Sequence, residues 1–288
     1  MANIPQKIHD RLVAGVKKFQ PVLAAAHGRG ANESDTVIII TAILSEVFGY
    51  DPFNEITSEI AIRGTYCDLA TKLEEKIQSL LEAKAINQEL KENHVTQAVG
   101  YAITKGVDWV LLTNGVVWQI YKVIIAKPVD REKVVEIDFF KIDHHKPDDL
   151  ESLFLFTKES WVKSALADYY DKNQALSPFT IAQVILTEEY MTMIRRKLRQ
   201  ISPNVKIEID KIRDVIEQDV LKHDVVEGDK ADEARKRVAK VANHAKRSKT
   251  EQEAIGDESV APEIQNEETG ANSPSSTPTA IPIQKQAI

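Results

Sequence analysis

Five polar side chains between residues 68 and 101 have types and spacings that could perform hydrolytic chemistry: Asp68, Glu82, Lys84, Gln97 and Tyr101. Stretches of β-type composition carry the first three, and side chains at i and i+2 of a strand point to one face. Glu82 and Lys84 therefore project together, with the small residue between them turned into the sheet. Residues four apart on a helix also share a face, so Gln97 and Tyr101 project together. Two carboxylates beside an amine can bind a hard divalent cation and act on a water molecule.

The order of these residues resembles the PD-(D/E)xK nuclease core, and in particular the N-terminal nuclease domain of the restriction subunit of type I restriction enzymes. The resemblance rests on Asp68, on Glu82-x-Lys84, on Gln97-x-x-x-Tyr101 and on a Thr-Asn-Gly hairpin that follows them. It covers about a third of the chain, and it includes NESDT at 32–36, FGYD at 48–51 and LTNG at 112–115. An acid-x-lysine triplet alone is a weak signal. Its place between an aspartate strand and a glutamine–tyrosine helix makes the pattern more specific.

The resemblance implies a Mg²⁺-dependent (or Mn²⁺-dependent) endonuclease that hydrolyses the phosphodiester bonds of DNA, in restriction or phage defence. It implies that Asp68 and Glu82 hold the metal ion. An acidic residue on the first helix of the core assists the metal site in that family, and Glu33 fits this position. A glutamate in the first turn of a helix is also favoured by the helix dipole alone. The sequence leaves both interpretations of Glu33 open.

The resemblance also implies that Gln97 and Tyr101 hold DNA near the active site. Lys84 would orient or deprotonate the attacking water, or neutralise developing charge, and the sequence does not choose among these roles. Each residue has a plainer alternative. Asp68, Glu82 and Lys84 could form surface salt bridges, and Tyr101 could be a packed aromatic residue. A non-catalytic DNA-binding or regulatory module that keeps the fold is therefore the alternative function, and RNA is not separated from DNA as a substrate.

Composition excludes several classes of protein. A chain of 288 residues, 43% of them hydrophobic, can bury a sizeable core and is expected to form one or two domains. The single cysteine excludes an intramolecular disulfide. No run of about 18 apolar residues is present, and charged residues interrupt the apolar positions of the N-terminus. We therefore expect no membrane span and no signal peptide, and a cytoplasmic protein. No GxxxxGK[ST] motif is present, so either other restriction-system subunits supply an ATPase motor or the protein works without one.

The negative net charge is concentrated at the C-terminal end. From Thr250 onward seven acidic residues stand against one lysine, so −6 of the net charge of −7 belongs to this segment. Basic residues cluster at 195–199 and again from 235 to 249, where no acidic residue occurs. Arg235, Lys236 and Arg237 begin the second cluster and are candidate contacts to the phosphate backbone. A solvated helix face is the common alternative for such a cluster.

Periodicity predicts an α/β fold with a restriction-endonuclease-like core, in which helices flank a mixed sheet, followed by a helical appendage and a disordered tail. The predicted regions are an N-terminal helix and loop (1–30), the nuclease core (31–145), a helical region (146–249) and an acidic tail (250–288). The predicted helices are 5–26, 32–48, 89–105, 148–170, 179–199, 207–222 and 229–247, and the predicted strands are 56–62, 66–71, 77–84, 107–112, 116–123 and 134–142. Pro21 should break or kink the first helix. Asn32, with Asp35 three residues later, resembles the N-cap of the second helix.

A second polar cluster, Asp143-His144-His145 followed by Asp148 and Asp149, has residue types that bind metals. Its position between two predicted elements and its polar surroundings favour a solvated loop. The sequence therefore predicts no metal site there.

Overall fold

Strand-forming segments with alternating side chains build one six-stranded mixed sheet. A computed structural model of the protein describes residues 4–62, 65–125 and 129–241. The order of the strands across the sheet follows their order in the chain. The strands are β1 (Ile56–Ile62), β2 (Thr65–Leu73), β3 (Lys76–Ala83), β4 (Trp109–Thr113), β5 (Val117–Ile124) and β6 (Asp130–Asp138). With helices on both faces, this architecture confirms the predicted α/β class.

Only one pair of neighbouring strands, β3 and β4, is parallel, and the other four pairs are antiparallel. A parallel connection needs a crossover, which the helix α3 (Glu92–Lys105) provides. The parallel register places Glu82 opposite Leu112 and Ala83 opposite Thr113. The C-terminal ends of β3 and β4 therefore meet at the same edge of the sheet.

Two apolar layers cover the two faces of the sheet. On one face, the helices α1 (Gln6–Gly28) and α2 (Glu33–Glu46) pack in the same cluster as Leu81. On the other face, α3 packs with Leu80. The alternation of Leu80 and Leu81 between two cores is what a central strand with apolar residues on both faces requires. Each fully buried leucine or isoleucine contributes about 1.5–3 kcal/mol through the hydrophobic effect.

An aromatic group and an ion pair join the helices on the first face. Phe48 packs edge-on against Trp118 with ring centroids 5.1 Å apart, and it stacks on Phe156 at 5.5 Å. Arg11 of α1 donates to both carboxylate oxygens of Glu159, at 2.8 and 2.6 Å, and its Nε donates to a backbone carbonyl 2.9 Å away at the end of α2. Glu159 lies in the short helix α5 (Lys158–Val162). This partly buried bidentate pair holds α1, α2 and α5 together.

The first helix continues through Pro21, so the predicted break does not occur there. It continues to Gly28, with Phe19 and Leu23 on either side of the proline both buried in the core. The proline itself is exposed. Burial of the apolar stripe on both sides offsets the one backbone hydrogen bond that the proline removes. Gln20, beside it, donates to the carbonyls of Phe139 and Ile142 at 2.9 Å each.

The predicted long helices are shorter in the structure, because side-chain caps and unusual backbone angles end them. The segment predicted as 148–170 forms α4 (Pro147–Phe154), α5 and α6 (Ala165–Ala175). Thr157 caps α5 by accepting from the backbone N–H of Ser160, and Ser164 has a left-handed φ of 57°. The last strand, predicted at 134–142, lies at Asp130–Asp138.

The remaining helices are α7 (Pro178–Ile185), α8 (Glu188–Ile201), α9 (Ile209–Val215), which continues as a π-helical turn (Ile216–Val220), α10 (His223–Val226) and α11 (229–241). The chain divides into two compact units, Met1–Ile181 and Ala182–Ile288. The first unit thus extends past the boundary expected at residue 145, because α4 buries Leu153 in the core beneath the sheet. The second unit has its own small core around Met191 and Ile212.

The acidic tail predicted at 250–288, and the basic residues from 242 to 249, lie outside the residues that the structure describes. Among the described helices, none is long and apolar enough to cross a membrane.

Two turns form hairpins in different ways. The predicted Asn114-Gly115 hairpin joins β4 to β5, with Gly115 at φ 83° and the Asn114 side chain accepting from the backbone N–H of Val117 at 2.8 Å. The turn between β2 and β3 consists of Glu74 and Glu75, with φ values of 48° and 62°. Two left-handed residues in a two-residue loop are typical of a type I′ turn, which favours asparagine and glycine. Two glutamates at these positions strain the backbone.

Replacing Glu74 with asparagine and Glu75 with glycine should raise the free energy of unfolding by about 1 kcal/mol, because the new residues adopt left-handed φ at lower cost. Urea denaturation of the two proteins measures the difference. Glu75→Gln is the control, since it removes the charge and keeps the β-carbon. It should leave the urea midpoint unchanged. A double variant with the wild-type midpoint would contradict the turn assignment.

Candidate functional site

The C-terminal end of β3 places Glu82 and Lys84 at the sheet edge that β3 shares with β4. The backbone N–H of Lys84 donates to the carbonyl of Thr113 at 2.9 Å, which extends the pairing with β4 one residue past the strand. Ala83 is fully buried in the apolar core that α1 and α2 form with the sheet, as the alternation of side chains along a strand predicts. Glu82 is only 2% exposed and points to the opposite face. The sheet thus fixes the backbone on which both functional groups stand.

The Glu82 carboxylate and the Lys84 ammonium form a close ion pair. Lys84 Nζ lies 2.6 Å from Glu82 Oε1, and it also donates to the carbonyl oxygen of Ala83 at 2.8 Å. The predicted projection of both side chains to one side of the strand is therefore correct. On the other side of the ammonium, Glu33 Oε2 lies 3.8 Å from Nζ. Lys84 is thus shared between the two glutamates.

Asp68 joins the site through the backbone. Its Oδ2 accepts a hydrogen bond from the N–H of Ala83 at 2.7 Å. The carboxylate of β2 therefore binds the end of β3, next to Glu82. The negative charge of Asp68 also acts on both Glu82 and Lys84.

One oxygen of the site has no partner. Glu82 Oε2 is buried and makes no hydrogen bond with any residue in the described part of the chain. Burial raises the pKa of Glu82 above its usual value, and the charges of Asp68 and Glu33 add to this effect, whereas the bond to Lys84 opposes it. Burial alone would lower the pKa of Lys84, but the bond to Glu82 and the surrounding carboxylates raise it. The site therefore carries an excess of negative charge around a protonated lysine.

Three hydrogen bonds hold the segment that leaves β3. The backbone N–H of Ile86 donates to the hydroxyl of Thr36 at 3.1 Å, and the side chain of Asn87 donates to a carbonyl at the end of α1 at 3.2 Å. Asn114 of the β4–β5 hairpin donates to the carbonyl of Gln88 at 3.0 Å. Thr36 and Asn114 belong to two of the stretches on which the family resemblance rests. Both act here on the backbone beside the candidate site.

The structure brings a residue to the site that the sequence analysis missed. His94, in the first turn of α3, accepts from the backbone N–H of Lys91 through Nδ1 at 3.2 Å. Burial lowers its pKa, and the charges of Lys84 and Lys91 lower it further, against the opposite effect of Glu33. His94 therefore lies within electrostatic range of the Lys84 ammonium. Its position three residues before Gln97, on the same helix face, was the signal in the sequence.

Gln97 and Tyr101 contact each other on α3, as the four-residue spacing predicts. Gln97 Nε2 donates to the hydroxyl of Tyr101 at 3.0 Å. Gln97 is exposed, whereas Tyr101 is 8% exposed and belongs to the apolar core under α3. Neither side chain hydrogen-bonds to Asp68, Glu82 or Lys84 in the described ranges. The pair thus lies beyond hydrogen-bonding contact with the carboxylates, on a different element.

Glu33 lies beside the lysine and does not complete a carboxylate triad. It starts α2, where Asn32 caps the helix by accepting from the backbone N–H of Asp35 at 2.8 Å, as predicted. Among the residues that the structure describes, only Asp143, His144 and His145 bring three metal-ligand atoms within 4.8 Å of one another. Asp68, Glu82 and Glu33 do not meet this condition in the described part of the chain.

The basic residues 235–237 lie on α11 in the second unit and are exposed. Arg235 is already engaged, because its Nη1 lies 2.6 Å from Asp232 Oδ1 and its Nη2 donates to a backbone carbonyl. Lys236 and Arg237 follow on the same helix. The structure gives residues 235–241 of the predicted basic cluster a helical backbone, and the charge of Arg235 is paired within the unit.

The ionisation of Glu82 should lower stability as the pH rises. A carboxylate whose folded pKa lies above its usual 4.5 contributes stability that is complete at low pH and lost as the pH rises through the folded pKa. Lys84 stays protonated throughout this range, since its pKa is also raised. In EDTA, the unfolding free energy of the wild type minus that of Glu82→Gln should therefore fall between pH 4 and pH 8.

Glu136→Gln is the matched control for this pH dependence. Glu136 also pairs with a lysine, but there the hydrogen bond to Lys133 lowers the pKa. Its contribution to stability should therefore be lost as the pH falls, which gives the opposite sign. Urea titrations of the three proteins at several pH values measure both differences. A Glu82 difference that is constant or grows with pH would contradict the assigned shift.

No protein-family model, no curated protein and no solved structure matches this chain. The function is therefore argued from the residues at the edge of the sheet.

Proposed function

We propose that this protein is a Mg²⁺-dependent DNA endonuclease of the PD-(D/E)xK type, with its active site at the end of β3. The observation that carries the proposal is the unpartnered, buried Oε2 of Glu82 beside a second carboxylate, Asp68. A buried carboxylate oxygen without a hydrogen bond costs free energy. Such a cost is typical of functional sites, where a ligand supplies the missing interaction.

The residues present fit a hard divalent cation. Mg²⁺ takes oxygen ligands and needs only one or two carboxylates beside waters and phosphate oxygens. Asp68 and Glu82 would hold it. When bound, the ion supplies charge stabilisation to the phosphodiester and lowers the pKa of a bound water, and Mn²⁺ supplies the same chemistry. The excess negative charge around Glu82 is the electrostatic condition that favours such an ion.

Lys84 acts as a cation in this proposal. Its raised pKa keeps the ammonium protonated at neutral pH, which argues against its acting as a general base. Two of its three N–H groups already bind Glu82 and the Ala83 carbonyl. The remaining donor is available to a water or to a phosphate oxygen, next to Glu33. The role that fits best is to orient the nucleophile and to neutralise charge that develops on the phosphate.

The order of elements supports the proposed fold. The observed order follows the order of elements predicted for the restriction-endonuclease-like core: α2, the three antiparallel strands β1–β3, the crossover α3 and then β4. In this proposal Gln97 and Tyr101 of α3 contact the DNA near the active site, and Glu33 assists the metal through Lys84. The basic residues of α11 add contacts to the phosphate backbone. Restriction or phage defence in the cytoplasm, with other restriction-system subunits supplying the motor, is the matching context.

A second candidate is a DNA-binding or regulatory module without catalysis. The observation in its favour is that the Lys84 ammonium donates to Glu82 and to the carbonyl of Ala83, so that two of its three N–H groups are already bonded within the chain. Binding of DNA without cleavage, in Mg²⁺ and in Mn²⁺, would support this candidate.

Asp68→Ala, Glu82→Ala and Lys84→Ala should each abolish metal-dependent nicking of a supercoiled plasmid, by at least about 100-fold, because each removes a group at the reacting phosphate. Single-stranded DNA and RNA are assayed in parallel to define the substrate. The fold should remain, as measured by circular dichroism. The matched control is Glu136→Gln, a carboxylate that also pairs with a lysine but lies on β6, and it should cleave like the wild type.

Two results would end the proposal: wild-type cleavage by any of the three alanine variants, or cleavage that persists in EDTA. If the wild type binds DNA without cleaving it, the non-catalytic module is the correct function instead.

Neutralising Arg235, Lys236 and Arg237 together should weaken binding equally for all DNA sequences. Each phosphate contact that is lost should reduce the slope of log affinity against log salt by roughly 0.9. Fluorescence anisotropy of a labelled duplex in EDTA measures this slope. Lys206→Gln with Lys211→Gln is the control, because these exposed lysines already pair with acidic neighbours. An unchanged slope in the triple variant would show that the cluster is a solvated helix face.

A further inference from the structure

The turn between β6 and α4 is held rigidly by its own polar groups. The backbone N–H of Lys146 donates to the carbonyl of Asp143 at 2.9 Å, and the N–H of His145 donates to Asp143 Oδ1 at 3.0 Å. The N–H of Asp143 in turn donates to Asp149 Oδ2 at 2.8 Å. The sequence prediction of a polar loop is thus correct for the backbone, but the loop has a defined shape.

This shape brings three metal-binding side chains together. One ligand atom each from Asp143, His144 and His145 lies within 4.8 Å of the other two. The two imidazole rings face each other with centroids 4.1 Å apart and planes tilted by 39°. Successive side chains of an extended segment point in opposite directions, so this convergence is a property of the turn. The order of the three residues in the sequence does not by itself imply that their side chains converge.

We propose that Asp143, His144 and His145 form a binding site for a borderline divalent metal ion such as Zn²⁺. Two imidazole nitrogens and one carboxylate oxygen are a ligand set that suits Zn²⁺, with water completing the coordination. In a tetrahedral site with bonds of about 2.1 Å, ligand atoms lie roughly 3.4 Å apart. Side-chain rotation therefore has to bring the three ligand atoms closer by at most about 1.4 Å. Asp143 binds through its Oδ2, since Oδ1 already accepts from the backbone of His145.

The site is separate from the candidate nuclease site. It follows β6, which is separated from β3 by two strands, β4 and β5. Nitrogen ligands also select a different class of metal from the two carboxylates of the candidate nuclease site. The charges of Lys17 and Lys146 act on this turn and oppose a cation, and the carboxylate of Asp149 offsets them in part. We therefore expect an affinity set by the two imidazoles.

A bound ion would fasten the connection between the sheet and α4. Gln20 of α1 already binds this connection through the carbonyls of Phe139 and Ile142. The metal would add a second fixed point just before α4 begins. The role that this placement indicates is structural, and stabilisation by ligand follows from mass action.

The test is a calorimetric titration of Zn²⁺ into the full chain, without a histidine tag and freed of metal with EDTA, in a buffer containing 5 mM Mg²⁺ to occupy a carboxylate site. The wild type should bind one equivalent, and its Tm should rise with Zn²⁺. His144→Ala and His145→Ala should each weaken binding by at least about tenfold, since even indirect supports of a metal ligand are worth that much. Asp143→Asn, which keeps the cap of the turn, should weaken binding less.

His9→Ala is the matched control, because His9 is a surface histidine beside a carboxylate, with Nδ1 3.4 Å from Asp10. It should bind Zn²⁺ like the wild type, and so should Glu82→Gln. Equal binding by the wild type and by a His144→Ala/His145→Ala double variant would overturn the proposal. So would a wild type that binds no Zn²⁺ at micromolar protein concentration. Neither result bears on the nuclease assay, so the two proposals fail independently.

Discussion

The parallel pairing of β3 with β4 is the constraint on which the rest of the first unit depends. The other pairs of neighbouring strands are antiparallel, whereas β3 and β4 are parallel and need a crossover helix between them. That helix, α3, packs on the opposite face of the sheet from α1 and α2, and it places His94 near the segment that follows β3. The same pairing fixes the backbone of Lys84 against Thr113. The parallel pairing of β3 with β4 thus accounts both for the sheet edge that carries Glu82 and Lys84 and for the helix α3 beside it.

The chemistry at this edge is set by an imbalance of charge. Glu82 is buried in a position where its neighbours in the strand are apolar, and a single ammonium group stands among three carboxylates. Replacing a buried ion pair by apolar residues is often neutral or stabilising, so such groups are poor candidates for a purely structural role. The alanine after Glu82 and the leucines before it show that the strand readily accommodates apolar residues. The acid and the lysine are therefore the exceptions that call for a functional explanation.

Local rules predicted the features that depend on near neighbours. The shared side of Glu82 and Lys84 follows from the strand period, the cap at Asn32 from side-chain chemistry, and the contact between Gln97 and Tyr101 from the helix period. These features involve residues at most four apart, so the chain itself contains the information.

The features that the sequence did not predict depend on distant parts of the chain. Helix α1 continues through Pro21 because residues of α2 and the sheet bury its apolar stripe on both sides. His94 lies within electrostatic range of the candidate site, and the segment before α3 is bound to Thr36 and Asn114, 50 and 26 residues away from their partners. The long predicted helices broke at Thr157 and Ser164, where a cap and a left-handed backbone angle override helical periodicity. Periodicity describes one element at a time and cannot detect such contacts.

The ion pair between Arg11 and Glu159 has a consequence for how the protein is made. Its two partners are separated by 148 residues, so α1 receives its partner only after most of the first unit has been synthesised. At 5–20 residues per second, this delay is roughly 7–30 s. During that interval α1 and the first strands expose apolar surface that the finished unit buries. Nascent chains of this protein should therefore depend on chaperones until residue 159 has emerged, whatever the stability of the final fold.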